Sequence, residues 1–151
     1  IVNKIVTYET NPPMADTSWY GRACLMGDPT TSGVTTKWVN QWLKTQLQGL
    51  GWSHIDTCWS GSFTSAMAPS LSPAGGTVFG YRGYLGMSGI QPANITALTN
   101  AGKLPVALLP TCDTGSFAAS TECRSESWLR STTGGGRCRR TGGRSVRGGG
   151  M

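Results

Sequence analysis

The chain has 151 residues, 38% of them hydrophobic, six tryptophans and a formal net charge of +6. That length holds one domain with a real core and excludes two of ordinary size. No run approaches the ~18 apolar residues that a membrane-spanning helix needs.

The first nine residues place Ile1, Ile5, Val6 and Tyr8 at the spacing of a helix's last turns. Asn11-Pro12-Pro13 ends that helix, because proline cannot continue the hydrogen-bond ladder. The opening I-V-N-K-I-V has neither an initiating Met nor a leader pattern, which suggests a fragment of a longer precursor. Trp19 to Met26 reads as a strand closed by Gly27-Asp28-Pro29. Trp38, Val39, Trp42, Leu43, Leu47 and Leu50 then fall at helical spacing, with Gly51 as the stop. The expected role of this stripe is packing against a sheet.

His54 to Trp59 reads as the second strand and Phe63 to Leu71 as a short helix. The third strand is Thr77 to Tyr81, followed by a glycine-rich loop from Gly80 to Gly89 and a small helix from Pro92 to Asn100. Val106 to Leu109 form a continuous apolar run, so Pro105 to Leu109 reads as a fourth strand buried on both faces. A last helix is expected from Phe117 to Arg130. Strands alternating with helices imply βαβ units, hence an α/β domain with a mostly parallel sheet of about four strands.

A fifth strand is due after Arg130, but Gly134 to Met151 holds five arginines and no acid. Without those five the chain carries +1, so its basicity belongs to this segment. Such a composition buries too little apolar surface to offset its ordering entropy. Residues 132–151 are therefore expected to be a disordered Gly/Arg-rich tail on a domain of residues 1–131, and a translation or gene-model error would produce such a tail. No aromatic residue interleaves the arginines, and no nucleic-acid partner is expected.

Cys112 stands just past the C-terminal end of the fourth strand, where open α/β sheets place their ligand crevices. A thiol there is either a nucleophile or an inert, buried small hydrophobe. A nucleophilic cysteine needs a base, usually histidine. The one histidine, His54, opens a predicted strand, at the wrong end of the sheet. The glycine-rich loop allows a close backbone approach, but no phosphate-loop pattern accompanies it. The five cysteines contain no C-x-x-C pair, so neither a zinc site nor any cofactor is expected.

Three motifs stand in order: G-T-V-F-G-Y-R-G-Y-L-G-M-S-G, then I-T-A-L-T-N-A-G-K-L-P-V-A-L-L-P-T-C-D-T-G-S-F, then R-S-E-S-W-L-R. With K-I-V-T-Y-E-T-N-P and D-T-S-W-Y upstream, this series resembles the gingipain family of cysteine peptidases, which are secreted bacterial enzymes. The resemblance covers roughly Ile1 to Arg130. It implies a three-layer caspase-like sandwich, here incomplete, and cysteine endopeptidase activity on peptide or protein substrates. It also implies a secreted or cell-surface location.

The family's nucleophile position is Cys112. Its catalytic histidine lies in a N-Y-x-G-H-G segment, which falls on Gly80 to Leu85 and puts Tyr84 at the histidine position. A tyrosine, with a reference pKa near ~10, is a poor base at neutral pH. The alternative is therefore an inactive pseudo-peptidase or a peptide-binding module. The backbone N–H of Cys112, with one from Gly83 to Leu85, would form an oxyanion hole. Leu85 stands where the family has glycine. Asp28 would receive a substrate Arg or Lys; otherwise it caps its own turn. In the caspase-like order the strands ending near Cys24 and Cys58 are neighbours, so the two thiols either bridge or remain separate.

Overall fold

The computed structural model describes residues 1–118 and 120–139. In chain order the elements are α1 (Val2–Thr10), β1 (Arg22–Gly27), α2 (Pro29–Ser32), α3 (Thr35–Gly49), β2 (His54–Cys58) and α4 (Phe63–Leu71). There follow β3 (Val78–Arg82), α5 (Pro92–Thr96), β4 (Val106–Leu108), α6 (Arg124–Arg130) and β5 (Arg137–Arg139). The strands form one sheet in the order β2-β1-β3-β4-β5, and every pair runs parallel.

Strand β1 lies between β2 and β3 and is buried from Ala23 to Gly27. Alternate side chains leave a strand on opposite faces, and the two faces build two cores. Cys24 and Met26 join Phe79, Tyr81 and Ala107 under Phe63, Met67 and Leu71 of α4, Ile95 of α5 and Trp128 of α6. Ala23 and Leu25 pack on the other face against Leu47, with Leu43, Trp52, Ile55 and Val78 beside them. The result is the expected three-layer α/β sandwich.

Helix α3 seats on that second face through small and polar side chains. Asn40 donates to the Met26 carbonyl at 2.7 Å and to the Thr36 carbonyl at 3.1 Å. A Cβ on Gly27 would meet the Thr36 carbonyl oxygen at 2.8 Å, so glycine permits this close approach. The helix therefore buries Thr36, Asn40 and Leu47. Trp38 and Trp42, expected to pack on the sheet, are 59% and 64% exposed. Two indoles do not fit where helix backbone and strand nearly touch.

Two helices are shorter than their apolar patterns suggest. The small helix stops at Thr96 rather than Asn100, and the last one begins at Arg124 rather than Phe117. Between Cys112 and Cys123 the described residues form turns. The Thr114 hydroxyl donates to the Thr111 carbonyl at 3.1 Å and Phe117 N–H to Gly115 at 3.0 Å. These local bonds compete with a helical ladder.

The Gly/Arg-rich segment departs most from expectation. Strand β5 lies within it and pairs with β4 through Val106↔Arg137, Ala107↔Cys138 and Leu108↔Arg139. The approach to it is ordered by polar contacts rather than apolar burial. Asn100 holds Gly135 with a pair of bonds at 3.0 and 2.9 Å, and Gly136 N–H donates to the Trp128 carbonyl at 3.1 Å. The Lys4 ammonium donates to the carbonyls of Trp128, Ser131 and Gly134 at 2.9, 3.2 and 2.7 Å. The remainder of the expected tail, residues 140–151, lies outside the described residues.

Cys24 and Cys58 are free thiols. The register sets Cys24 opposite Asp56 and Cys58 opposite Met26. Strand spacing and rise make the two cysteines diagonal neighbours about 8 Å apart, beyond the usual Cα separation of a disulfide. Burial pushes the Cys24 thiol up to about 12.

Candidate active site

In a parallel sheet the loops after neighbouring strands meet at one rim, and here the loops after β3 and β4 are bonded directly. Cys112 N–H donates to the Tyr84 carbonyl at 3.2 Å, and Gly86 N–H donates to the Cys112 carbonyl at 2.8 Å. Together they form a one-residue parallel bridge, Leu85↔Cys112. Gly83 N–H adds a bond to the Thr111 hydroxyl at 2.9 Å.

Each loop is held from behind. The Tyr81 hydroxyl accepts Ser88 N–H at 2.8 Å, and its ring lies where a Cβ on Gly83 would be, at 2.9 Å. Gly86 has φ +64, and the Arg124 guanidinium occupies the space beside it at 3.2 Å. Arg124 also donates to the Ile90 carbonyl at 2.7 Å and to the Gln91 side chain at 3.3 Å. Ser125 N–H donates to the Thr114 carbonyl at 2.8 Å. The start of α6 thus braces both loops.

Cys112 is exposed on this rim. Asp113, next in the chain, has φ 63, a left-handed conformation that aspartate tolerates better than most residues. Tyr84, Leu85 and Phe117 are exposed as well. The expected oxyanion donors behave differently from one another. The N–H groups of Cys112 and Gly83 already have acceptors, whereas those of Tyr84 and Leu85 have none among the described residues.

Asp28 lies at the C-terminal end of β1 and is buried. One carboxylate oxygen accepts Thr30 N–H at 2.9 Å, capping α2, and the other accepts the Ser88 hydroxyl. Burial pushes this carboxyl up, but the Ser88 and Thr30 donors outweigh it and hold the group below its ordinary range. Beside it is a cavity of about 290 Å³, walled also by Ser60, Ser62, Phe63 and Gly89. Tyr84 and Cys112 are not on that wall. Ser88 joins the two places, since it belongs to the same loop as Tyr84.

His54 opens β2 at the opposite end of the sheet and faces Asp56 at 3.4 Å. Among the described residues no group of three or more His, Cys, Asp and Glu side chains gathers to hold a metal ion. Sequence reasoning missed Ser88 and Arg124. Both stand inside motifs that carried the resemblance, but only packing shows what they touch.

The family model for peptidase family C25 matches residues 1–142. No curated protein matches the chain. Among solved structures, the Arg-specific cysteine proteinase gingipain R (RgpB) superposes with a TM-score of 0.76 at 21% identity. That match covers 90% of this chain and 34% of the other. The complex of Porphyromonas gingivalis RgpB pro- and mature domains gives 0.76 at 20% identity, over 90% of this chain and 35% of that one. A structure described only as a protease gives 0.67 at 20%, over 89% and 31%. At such identities the likeness carries the fold, and this chain spans about a third of these relatives. The family match over nearly its whole length goes further: the chain belongs to peptidase family C25, the gingipain family of cysteine peptidases.

Proposed function

We propose that this chain forms part of the catalytic domain of a cysteine endopeptidase, with Cys112 as its nucleophile. The observation that carries the reading is the bonded pair of loops. An exposed thiol sits on the rim, joined backbone to backbone to the segment where the family has its histidine. In the proposed reaction the Cys112 sulfur attacks the scissile carbonyl carbon, the proton of its thiol passes to the departing nitrogen, and the C–N bond breaks to leave a thioester and a free amine. Water then hydrolyses the thioester and restores the thiol. The Leu85 N–H, lacking an acceptor among the described residues, is a proposed donor to the developing oxyanion. Asp28 is the proposed partner for a basic substrate side chain entering the adjoining cavity. The family suggests a secreted or cell-surface setting.

A second reading rests on the same rim. Tyr84 stands at the histidine position, and a phenol does not withdraw a thiol proton at neutral pH. The fold would then present peptides without cutting them. A peptidyl chloromethyl ketone with Arg beside the warhead separates the two. Labelling of Cys112 faster than Cys58 and Cys123 at neutral pH supports the peptidase. Equal rates at all three support the binding module.

A further inference from the structure

Strand β3 ends in an arginine that no acceptor in the fold holds. Arg22, Arg124 and Arg130 each donate to a carbonyl or carboxylate oxygen. Arg82 has no such partner among the described residues, although it is partly buried and its Nε is out of solvent. A buried donor without an acceptor destabilises a fold, so it calls for one from outside the chain. The indoles of Trp19 and Trp128 lack partners too, but both are fully buried, whereas Arg82 reaches solvent at the end of its strand.

Register fixes where Arg82 stands. It is the Cα partner of Gly27, and paired residues of neighbouring strands share a face. A Cβ on Gly27 would meet the Thr36 carbonyl oxygen of α3 at 2.8 Å, so both residues lie on the α3 side. Asp28, one residue on, lies on the other side with Phe63 and Ser88. The rim thus carries a carboxylate on one face and an unpaired guanidinium on the other. Arg82 also stands two residues before Tyr84, whose carbonyl accepts Cys112 N–H at 3.2 Å. Two extended residues cover about 7 Å. A peptide lying across Cys112 therefore brings a side chain two or three residues from the scissile bond within reach of Arg82.

We propose that Arg82 receives a substrate carboxylate two or three residues from the scissile bond. This rests on the reading of Cys112 as nucleophile and adds an acidic group to the substrate. The planar guanidinium, with its fork of N–H donors, matches both oxygens of a carboxylate. Asp28 and Arg82 together would select substrates in which a basic and an acidic residue stand close together.

The test uses the chain as it is and short amidated peptides with one Arg. Each carries Glu or Gln two or three residues to either side of the bond that follows the Arg. Protection of Cys112 from the peptidyl chloromethyl ketone measures their binding. At one of these positions the Glu peptide is expected to protect at about tenfold lower concentration than its Gln twin. The advantage should shrink as salt rises. Arg82→Gln should erase it and leave the Gln peptides unchanged, while Arg82→Lys should keep part of it. A Gln peptide with a free C-terminal carboxylate shows whether a chain terminus serves in place of a side chain. Equal protection by the Glu, Gln and free-acid peptides in the parent would overturn the proposal. An equal loss for both twins in Arg82→Gln would overturn it too, and would assign Arg82 to the fold alone. Failure of even the Gln peptides to protect Cys112 is a different outcome: it sinks the reading of the rim as a peptide site, and the proposal with it.

Discussion

The Cys112 amide donates to the Tyr84 carbonyl at 3.2 Å, and this bond joins the loops that follow β3 and β4. It ties backbone to backbone, so it does not depend on what the side chain at position 84 is. A histidine placed there would project from the same anchored residue. Tyr84→His is therefore expected to raise the rate at which a peptidyl electrophile alkylates Cys112. The rate should acquire a pH dependence in the imidazole range, near pH ~6.5. Mass-spectrometric labelling from pH 5 to 9, on both proteins, measures it. A profile identical to the parent's would mean that position 84 does not reach the thiol.

Gly83 is a second point of leverage. A Cβ there meets the Tyr81 ring at 2.9 Å, and that ring's hydroxyl holds Ser88 N–H. Gly83→Ala must push the ring aside, at an overpacking cost of about 1–3 kcal/mol. The shift also loosens Ser88, which donates to Asp28. Thermal denaturation should show the loss, and Cys112 labelling should change although neither altered group is the thiol.

Asp28 accepts from Thr30 and Ser88, so Asp28→Ala removes a helix cap and leaves a hydroxyl without its acceptor. A loss of about 1–2 kcal/mol is expected. The folded carboxyl lies below its ordinary range. Its stabilisation is thus present above the unfolded pKa of about 3.9 and is lost as pH falls through the lower folded value. Acid melts of the parent should show this dependence, and the alanine variant should not. In a full-length active relative carrying this loop, Asp28→Asn should weaken the preference for Arg or Lys over Ala. An unchanged preference would leave Asp28 to the turn alone.

Lys4 gives a slope of the same sign at higher pH. Partial burial lowers its ammonium from 10.5 to about 8. Between those values the unfolded chain binds more protons, so stability should rise with pH across that window. Lys4→Met removes this slope. At neutral pH it also strips the donor from three carbonyls, for an expected loss of about 1–2 kcal/mol. Chemical denaturation at pH 7, 8 and 10 follows both effects.

Much of this fold was readable in the chain. Strands buried on both faces appear as short apolar runs, and Cys24 to Met26 and Val106 to Leu108 lie within the strands expected. The loops of Tyr84 and Cys112 meet because β3 and β4 are neighbours, an order that no apolar run states. Other features left no apolar signature. Strand β5 is approached through Asn100, Lys4 and three glycines, which hydropathy reads as disorder. The α3 stripe misled for the converse reason: Trp38 and Trp42 have the spacing of core residues, while Asn40 takes the seat against the sheet. The hydrogen bonds of Gly83 and Cys112 N–H are tertiary facts that no motif encodes.

Helix α1 buries none of its residues, yet its Lys4 holds the segment that leads into the last strand. The two are distant in sequence and fastened by this ammonium, so they should open together. Amide hydrogen exchange would then show residues 2–10 and 132–136 as one weakly protected unit, exchanging faster than β1 and β3 and with matching rates. An event that frees the first helix would also release the outermost strand, leaving the Tyr84–Cys112 seam closed at the centre of the sheet.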